Sequence, residues 1–501
     1  MGRRYKKPKA GKSTVTKRGR QLQAAGTFLN TLSARTVPGG GVAAKAIIDA
    51  AAHIHHLANY WADAEDRYTV DIASSSERAT MRGRSIHAAL NSGYIRNAIR
   101  AFGNHTIGSG GPQMRIMKFS GLSREERSAL EWEFFYWRKR TGDLAKLRQI
   151  PRAFMFYGES LERFIYDPYI ENGNLNIQQI EPRRLDYPMG AGDERMVDGI
   201  LFDGIHPLMY YIEKRNVNPI YQSLEYEPVP ADHIMHLFLS DFADQKRGIP
   251  IIATVLRLQA ETMLWEAHTL GAADWAARWG GFIRTTATLT PEDVMEIPGD
   301  TMLAPTPGTA VFTPEGWGPE QIKAEFPTAN FEGFANALHR EQGAGLGVPF
   351  GVMGADTSDY SYSSWRGERQ NYWTYIEEVQ DVIRDNALDP RFQKWIECYS
   401  TGWRTDPVAE IALKLLEKYG DPARIPITWQ FPHPPSADPE KDARANEINL
   451  RNHVTSLHKV IEKEGMDYDE IMEELLEEAR DLAKLIPNID VPPNMDPAEN
   501  A

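Results

Sequence analysis

Residues 251–280 read IIATVLRLQAETMLWEAHTLGAADWAARWG, with Ile251, Val255, Leu258, Thr262, Trp265, Thr269, Ala272, Ala276 and Trp279 at three- and four-residue steps. Such spacing predicts one stripe of a long helix, about 45 Å end to end if it continues to Gly280. Arg247-Gly248-Ile249-Pro250 leads into it. After it, residues 283–328 hold seven prolines and many Gly and Thr, a pattern of short strands and turns. The next helix begins near Asn330 and carries Phe331, Phe334, Ala335, Leu338 and Gln342. Two helices therefore flank an irregular insertion.

Toward the C-terminus, Gly345-Leu346-Gly347-Val348-Pro349-Phe350 breaks the second helix, and the polar run from Gly354 to Ser364 reads as a loop. A long helix is expected from about Trp365 to Asp385, with Trp373, Ile376, Val379 and Ile383 on one stripe. Asp438 caps and Pro439 opens another, reaching about Glu464, and an acidic helix spans Asp467 to Leu485.

Toward the N-terminus the character is β-rich. Glu162–Tyr166 and Leu175–Ile177 flank the hairpin signal Asn172-Gly173. Gly199–Gly204 and Met209–Ile212 form a second hairpin, and Val229-Pro230 with His233–Leu237 reads as one more strand. Before these, Ile86, Leu90, Tyr94, Ile95, Ala98, Ile99 and Phe102 describe a helix pair broken at Asn91-Ser92-Gly93. Ser123, with Glu125 and Glu126 behind it, starts a helix running through Trp132, Phe134, Phe135, Tyr136 and Trp137. Residues 21–75, broken at Pro38-Gly39-Gly40-Gly41, read as peripheral. The expected class is α+β.

Composition sets limits on function. The chain has 501 residues, 42% hydrophobic and 25% charged, which fits a globular protein with a large core. A single cysteine, Cys398, excludes an internal disulfide framework and a Cys-rich zinc site, and suits a reducing cytoplasm. No apolar run is long enough to span a bilayer as a helix. The first twenty residues hold nine bases and no acid, and read as a mobile basic arm. From Glu464 onward twelve acids face two bases, within a net charge of −13. Contact with nucleic acid is therefore expected to be loose or local, because affinity for DNA comes mainly from clustered Lys and Arg.

Compact catalytic signatures are missing. Gly11-Lys12-Ser13 lacks the first glycine of a phosphate loop, since Lys6 stands there, and there is no H-E-x-x-H, G-x-S-x-G, G-x-G-x-x-G or calcium loop. The run His53-Ile54-His55-His56 points its imidazoles in different directions on a helix. No catalytic, cofactor-binding or metal-ligating residue is expected.

Several separated segments, in this order, resemble the lambda-type portal proteins of tailed bacteriophages from about residue 77 to 465. They are Arg82-Gly83-Arg84 through Ala98, Ile107-Gly108-Ser109-Gly110, Tyr157-Gly158-Glu159, Ile180-Glu181-Pro182-Arg183-Arg184-Leu185 and the strand pair from Gly199 to Tyr211. Arg247-Gly248-Ile249-Pro250, Gly345-Leu346-Gly347-Val348-Pro349, Tyr362-Ser363-Ser364 and Asp438-Pro439-x-Lys441 complete the set. Trp365 stands where such portals tend to have a smaller residue.

The resemblance implies a homo-oligomeric ring of about twelve subunits around a DNA channel at one capsid vertex. Its regions would be a basic arm with peripheral segment (1–75), wing (76–248), stem helix (249–282), clip (283–328), second stem helix and turn (329–353), tunnel loop (354–362), long helix returning to the wing (363–430), and crown with acidic helix (431–501). In the tunnel loop Asp356, Thr357, Ser358, Asp359, Tyr360, Ser361, Tyr362 and Arg366 would face DNA, and an ordinary exposed turn is the bland alternative. Arg366 would touch phosphate, or pair with Glu368 or Asp359. On the clip, Glu292, Asp293, Glu296, Glu315, Trp317 and Glu320 would dock partners.

The implied partners are the terminase large subunit, then a head-tail adaptor, and a major capsid or scaffolding protein, with no membrane. Assembly would take place in the bacterial cytoplasm and the product would sit in the virion. Catalysis would belong to the terminase. An acidic wall suits this role, because a polyanion slides along it with little friction. The alternative is another head-completion or minor head protein without a channel.

Overall fold

The computed structural model describes residues 77–170, 175–186, 194–215, 222–278, 282–285, 317–320, 331–358, 360–401, 406–431, 439–463 and 468–485. The basic arm and the His53–His56 run lie outside them. The fold mixes helices with four antiparallel sheets.

Helices α1 (Arg78–Asn91) and α2 (Gly93–Ile107) are separated by one residue, Ser92, whose extended backbone lets its side chain accept from the Ile95 amide. Helix α2 buries Ile95, Ala98, Ile99, Phe102 and Ile107. Strand β1 (Gln113–Ile116) precedes α3 (Arg124–Thr141), which opens on a capping box between Ser123 and Glu126. Gly142, in the left-handed region at φ 65°, is the only residue between α3 and α4 (Asp143–Phe156).

A three-stranded sheet has the order β3 (Leu175–Ile180), β2 (Glu159–Tyr166), β8 (Ile234–Phe238). A four-stranded sheet runs β4 (Met196–Val197), β5 (Ile200–Asp203), β6 (His206–Arg215), β7 (Gln222–Pro230). Val229-Pro230 and His233–Leu237 therefore do not make one strand. Pro230 ends β7, and a 3₁₀ turn over Ala231–His233 carries the chain into the other sheet, where Glu159 faces Phe238. Proline has no N–H with which to continue a ladder.

The expected long helix is split. Ile251–Val255 form a 3₁₀ turn, and α5 (Leu256–Arg278) follows, turning Gln259 and Thr262 inward while Leu258 is half-buried. Strands β9 (Phe282–Thr285) and β10 (Trp317–Glu320) pair with Phe282 opposite Glu320. Helix α6 (Phe331–Leu346) returns, and the one-turn α7 (Phe350–Met353) precedes α8 (Tyr362–Ile383). The helix placed at 365–385 thus starts earlier. It also continues through a π-turn at Arg384–Leu388 into α9 (Asp389–Ser400).

After α10 (Pro407–Tyr419), β11 (Ile427–Gln430) pairs with β1. Helix α11 (Pro439–Arg451) ends well short of Glu464, at a break where His453 has φ 56°, and α12 (Leu457–Lys463) and α13 (Tyr468–Leu485) follow.

The main core joins α2, α3, α4, α8, α9 and α10. At its centre Phe134 meets the rings of Trp395, Phe392 and Trp429 edge-on, with centroids 5.0, 5.6 and 6.0 Å away. Offset edge contacts of this kind add to simple area burial. A smaller core of Leu161, Ile180, Ile200, Tyr210, Ile212 and Val229 seals the four-stranded sheet.

Candidate functional site

The segment between α7 and α8, residues 354–361, is built on fixed anchors. Gly347 closes α6 in the left-handed region at φ 67°, with Val348 donating back to the Gly343 carbonyl at 3.0 Å. The Asn97 amide of α2 donates to the carbonyls of Val352 (3.0 Å) and Met353 (2.9 Å), pinning α7. Beyond Gly354, Asp356 accepts from the Ser358 amide (2.9 Å) and hydroxyl (2.7 Å), an Asx turn whose two donors hold the carboxyl below its ordinary range.

Tyr360 turns inward. Its hydroxyl accepts from the Gly351 amide at 3.2 Å, and its ring stands edge-on to Trp365 at 5.5 Å. Burial, followed by Glu368, pushes its phenol up. A Cβ at Gly351 would lie 2.9 Å from Trp365 and 3.1 Å from Tyr360, so the large Trp365 ring fits because residue 351 has no side chain. Ser361 then caps α8 by accepting from the Ser364 amide at 3.2 Å.

Asp356, Thr357 and Ser358 are exposed together on the loop, whereas Tyr360 is half-buried and Ser361 is exposed but engaged as a cap. Tyr362 belongs to the first turn of α8 rather than to the loop, so the loop is one residue shorter than expected. Asp359 lies outside the described residues. Arg366 approaches Asp442 of α11 at 3.8 Å instead of Glu368, since side chains two apart on a helix do not face each other. Of the clip residues, Glu292, Asp293, Glu296 and Glu315 lie outside the described residues, and Trp317 and Glu320 mark the two ends of β10.

A cleft of about 690 Å³ opens between this loop, α2 and α8, lined among others by Asn104, His105, Thr357, Trp365 and Arg369. His105 Nδ1 lies 3.2 Å from the Tyr372 hydroxyl, and burial together with Arg369 holds its imidazole below the ordinary value.

Two buried charge clusters are built around carboxylates of β2. Glu159 of β2 accepts from Arg247 Nε (2.8 Å) and Nη2 (2.6 Å), from the Gly248 amide (3.1 Å) and from Arg82, with His236 Nε2 at 3.0 Å. Burial drives the Glu159 carboxyl upward, but Arg247 and the other donors outweigh it and leave it well below its ordinary range. Arg82, chiefly through burial, is brought down to about 10. The approach is close: a Cβ on Gly248 would stand 2.0 Å from the Gly158 carbonyl oxygen. In the second cluster Arg391 donates to Asp143 (2.9 Å) and Glu162 (2.6 Å), and Arg138 completes Asp143 at 2.8 Å. Burial is offset at Asp143 by two arginines, which lower it; Glu162 has one arginine and the neighbouring Asp143 charge, and stays raised.

Helices α5 and α6 meet through a polar chain. Thr262 donates to the Leu258 carbonyl (2.7 Å) and accepts from Gln342 Nε2 (3.1 Å). Gln342 Oε1 faces His339 Nδ1 at 3.3 Å, whose Nε2 is 3.6 Å from Glu266 and whose ring stacks on Tyr94 at 3.9 Å.

Sequence reasoning missed the charge clusters and this seam. The usable signal was that the quoted segments 157–159 and 247–250 both carry a charge beside a glycine, and the two segments meet. Among the described residues no group of His, Cys, Asp and Glu could hold a metal ion, and no helix is long and apolar enough to cross a membrane.

The profile of the family described as phage portal protein, lambda family, matches residues 57–380, more than half of the chain. The chain therefore belongs to the lambda family of phage portal proteins. The "Probable portal protein" of Halomonas phage phiHAP-1 is 22% identical over 461 residues, covering 86% of each chain. Among solved structures, a chain from the neck of an empty GTA particle is similar with TM-score 0.42 and 14% identity, over 74% of this chain and 88% of that one. An HK97 family phage portal protein from Corynebacterium diphtheriae gives TM-score 0.28 and 11% identity, over 62% and 90%. Likenesses this distant carry no weight beside the family match.

Proposed function

We propose that the protein forms the homo-oligomeric portal at one capsid vertex, a passive channel for double-stranded DNA during packaging and ejection. Beyond family membership, the observation that carries this reading is the pair α5 and α6, which flank an insertion clasped at its base by β9 and β10. Under it, residues 249–282 and 329–353 are the stem, 283–328 the clip, 354–361 the tunnel loop, 76–248 and 363–430 the wing, and 431–501 the crown. The clip would receive the terminase large subunit and then the head-tail adaptor, and a major capsid or scaffolding protein would be a further partner. ATP hydrolysis would belong to the terminase. The subunits would assemble in the host cytoplasm and remain in the virion. Exposed Asp356, Thr357 and Ser358 suit a loop that touches DNA without gripping it.

Electron microscopy with mass determination on the purified chain tests the reading. Rings with a central hole and about twelve copies are expected; a stable monomer at high concentration counts against it. Deleting residues 355–361 should leave rings intact and impair completion or retention of the packaged genome, and full-length packaging by that variant would remove the loop's role.

A further inference from the structure

On α2 and α4 four arginines stand without a carboxylate partner among the described residues. Arg96, Arg100 and Asn104 follow one another at four-residue steps on α2, and Arg148 and Arg152 repeat the step on α4. The helices touch at Gly103, where a Cβ would lie 2.8 Å from Arg152 Cγ and Nε. Arg152 Nη2 donates to Asn104 Oδ1 at 3.0 Å, and Arg148 Nη2 to the carbonyls of Gly108 (2.9 Å) and Ser109 (2.6 Å). The Nε of each is buried with no partner. Arg96 and Arg100 are exposed, and neither side chain is held by a hydrogen bond or ion pair among the described residues.

This arrangement is costly in an isolated subunit. Burial, with Arg148 and Arg100 close by, lowers Arg152 from its ordinary value, and no acid offsets them. The protein is acidic overall, with net charge −13, so a bare basic face stands against the general trend. It is also continuous with the loop: Asn104, Gly108 and Ser109 line the same cleft as Thr357 and Arg369.

We propose that this face binds the phosphates of double-stranded DNA beside the loop at 354–361, an inference that rests on the channel reading. Guanidinium groups match phosphate geometry, and phosphate contacts position a duplex without reading its sequence. Exposed Arg96 and Arg100 make the contacts, with Arg148 and Arg152 adding positive charge behind them, and so few contacts still let the duplex move.

The test uses the full-length assembled protein and a fluorescent duplex oligonucleotide titrated across a salt series. Arg96→Gln with Arg100→Gln should leave rings and thermal unfolding unchanged, weaken binding, and reduce the slope of log K against log salt by about 0.9 for each phosphate that is no longer neutralised. Lysine at both positions should restore most of the slope, and Arg444→Gln, far along the chain and paired with Glu440, should leave it untouched. Rings of the double variant that bind DNA with the original slope overturn the proposal while leaving the channel intact. The same holds if Arg444→Gln lowers the slope equally, or if the double variant instead fails to form rings, which would assign the face to an acidic surface of a second copy. Failure of the unaltered chain to form rings removes the channel reading itself.

Discussion

The body around α3, α4 and α9 and the helix pair α5–α6 bury polar groups in opposite ways. In the body, Arg391 and Arg247 are among the largest fully buried side chains, yet each sits among carboxylates inside a dense aromatic and aliphatic core. In the pair, the buried side chains among the described residues are Gln259, Thr262, His339 and Gln342, with Leu346 at the very end of α6, whereas Leu264 and Leu270 are 60% and 71% exposed and Phe334 is 50% exposed. Trp265 of α5 packs against the rings of Phe331 and Phe334 of α6, with centroids 4.9 and 5.0 Å away. A surface helix ordinarily turns its apolar stripe inward. The body thus encloses its charges within apolar packing, although Trp132 and Phe135 of α3 stay exposed, while the pair turns mostly polar groups inward and leaves Leu264, Leu270 and Phe334 in water.

The sharpest way to break this contrast is Arg391→Met. It leaves Glu162 buried without its arginine and Asp143 with Arg138 alone, and removing one partner of a buried pair typically costs about 3–5 kcal/mol. Urea unfolding of the variant should show a loss of that order, and a loss below about 1 kcal/mol would put the cluster on the footing of an exposed pair.

Acidity sharpens the contrast within the body. Glu159 has its folded pKa well below the ordinary 4.5, so its contribution to stability is complete above that value and disappears as pH falls through the folded value. Glu162 is raised, so its effect has the opposite sign, with stability falling as pH rises from 4.5 through the folded value. Glu159→Gln should therefore flatten the acid-side loss of stability, and Glu162→Gln should remove the fall on its other side. Unfolding midpoints of both variants between pH 3 and 7 test this; indistinguishable profiles would refute the assignment.

A smaller effect is expected in the helix pair. Gln342→Leu interrupts the chain from Thr262 to His339, at a cost of about 1–2 kcal/mol from one buried donor and one buried acceptor left unpaired. Unchanged thermal unfolding would show that the seam adds nothing to the packing of Trp265.

How much of this was legible in the sequence depended on how local the cause was. The Ser123–Glu126 capping box, the Ser92 break and the three-four spacing of α2 are encoded within a few residues. The division of Val229–Leu237 between two sheets was hidden because Pro230 and the following turn read equally well as an irregular strand. Tyr362 was placed outside its helix because Ser361, Ser363 and Ser364 look like loop, although Ser361 is the cap. The loop at 354–361 was visible as a polar break between helices. Its setting was not: Arg247 meets Glu159 across 88 residues, and Arg152 reaches Asn104 across 48. No periodicity announces a charge whose partner arrives from another element.

The clasp of β9 and β10 has a consequence for how this chain can vary. Its two strands hold their ends in fixed register, Thr285 opposite Trp317 and Phe282 opposite Glu320. The entropy of closing a loop grows only with the logarithm of its length, about 0.6 kcal/mol per doubling. The cost of closing β9 on β10 therefore depends only weakly on how many residues join the two strands. A change in that number is absorbed at the clasp rather than passed on to α5 and α6.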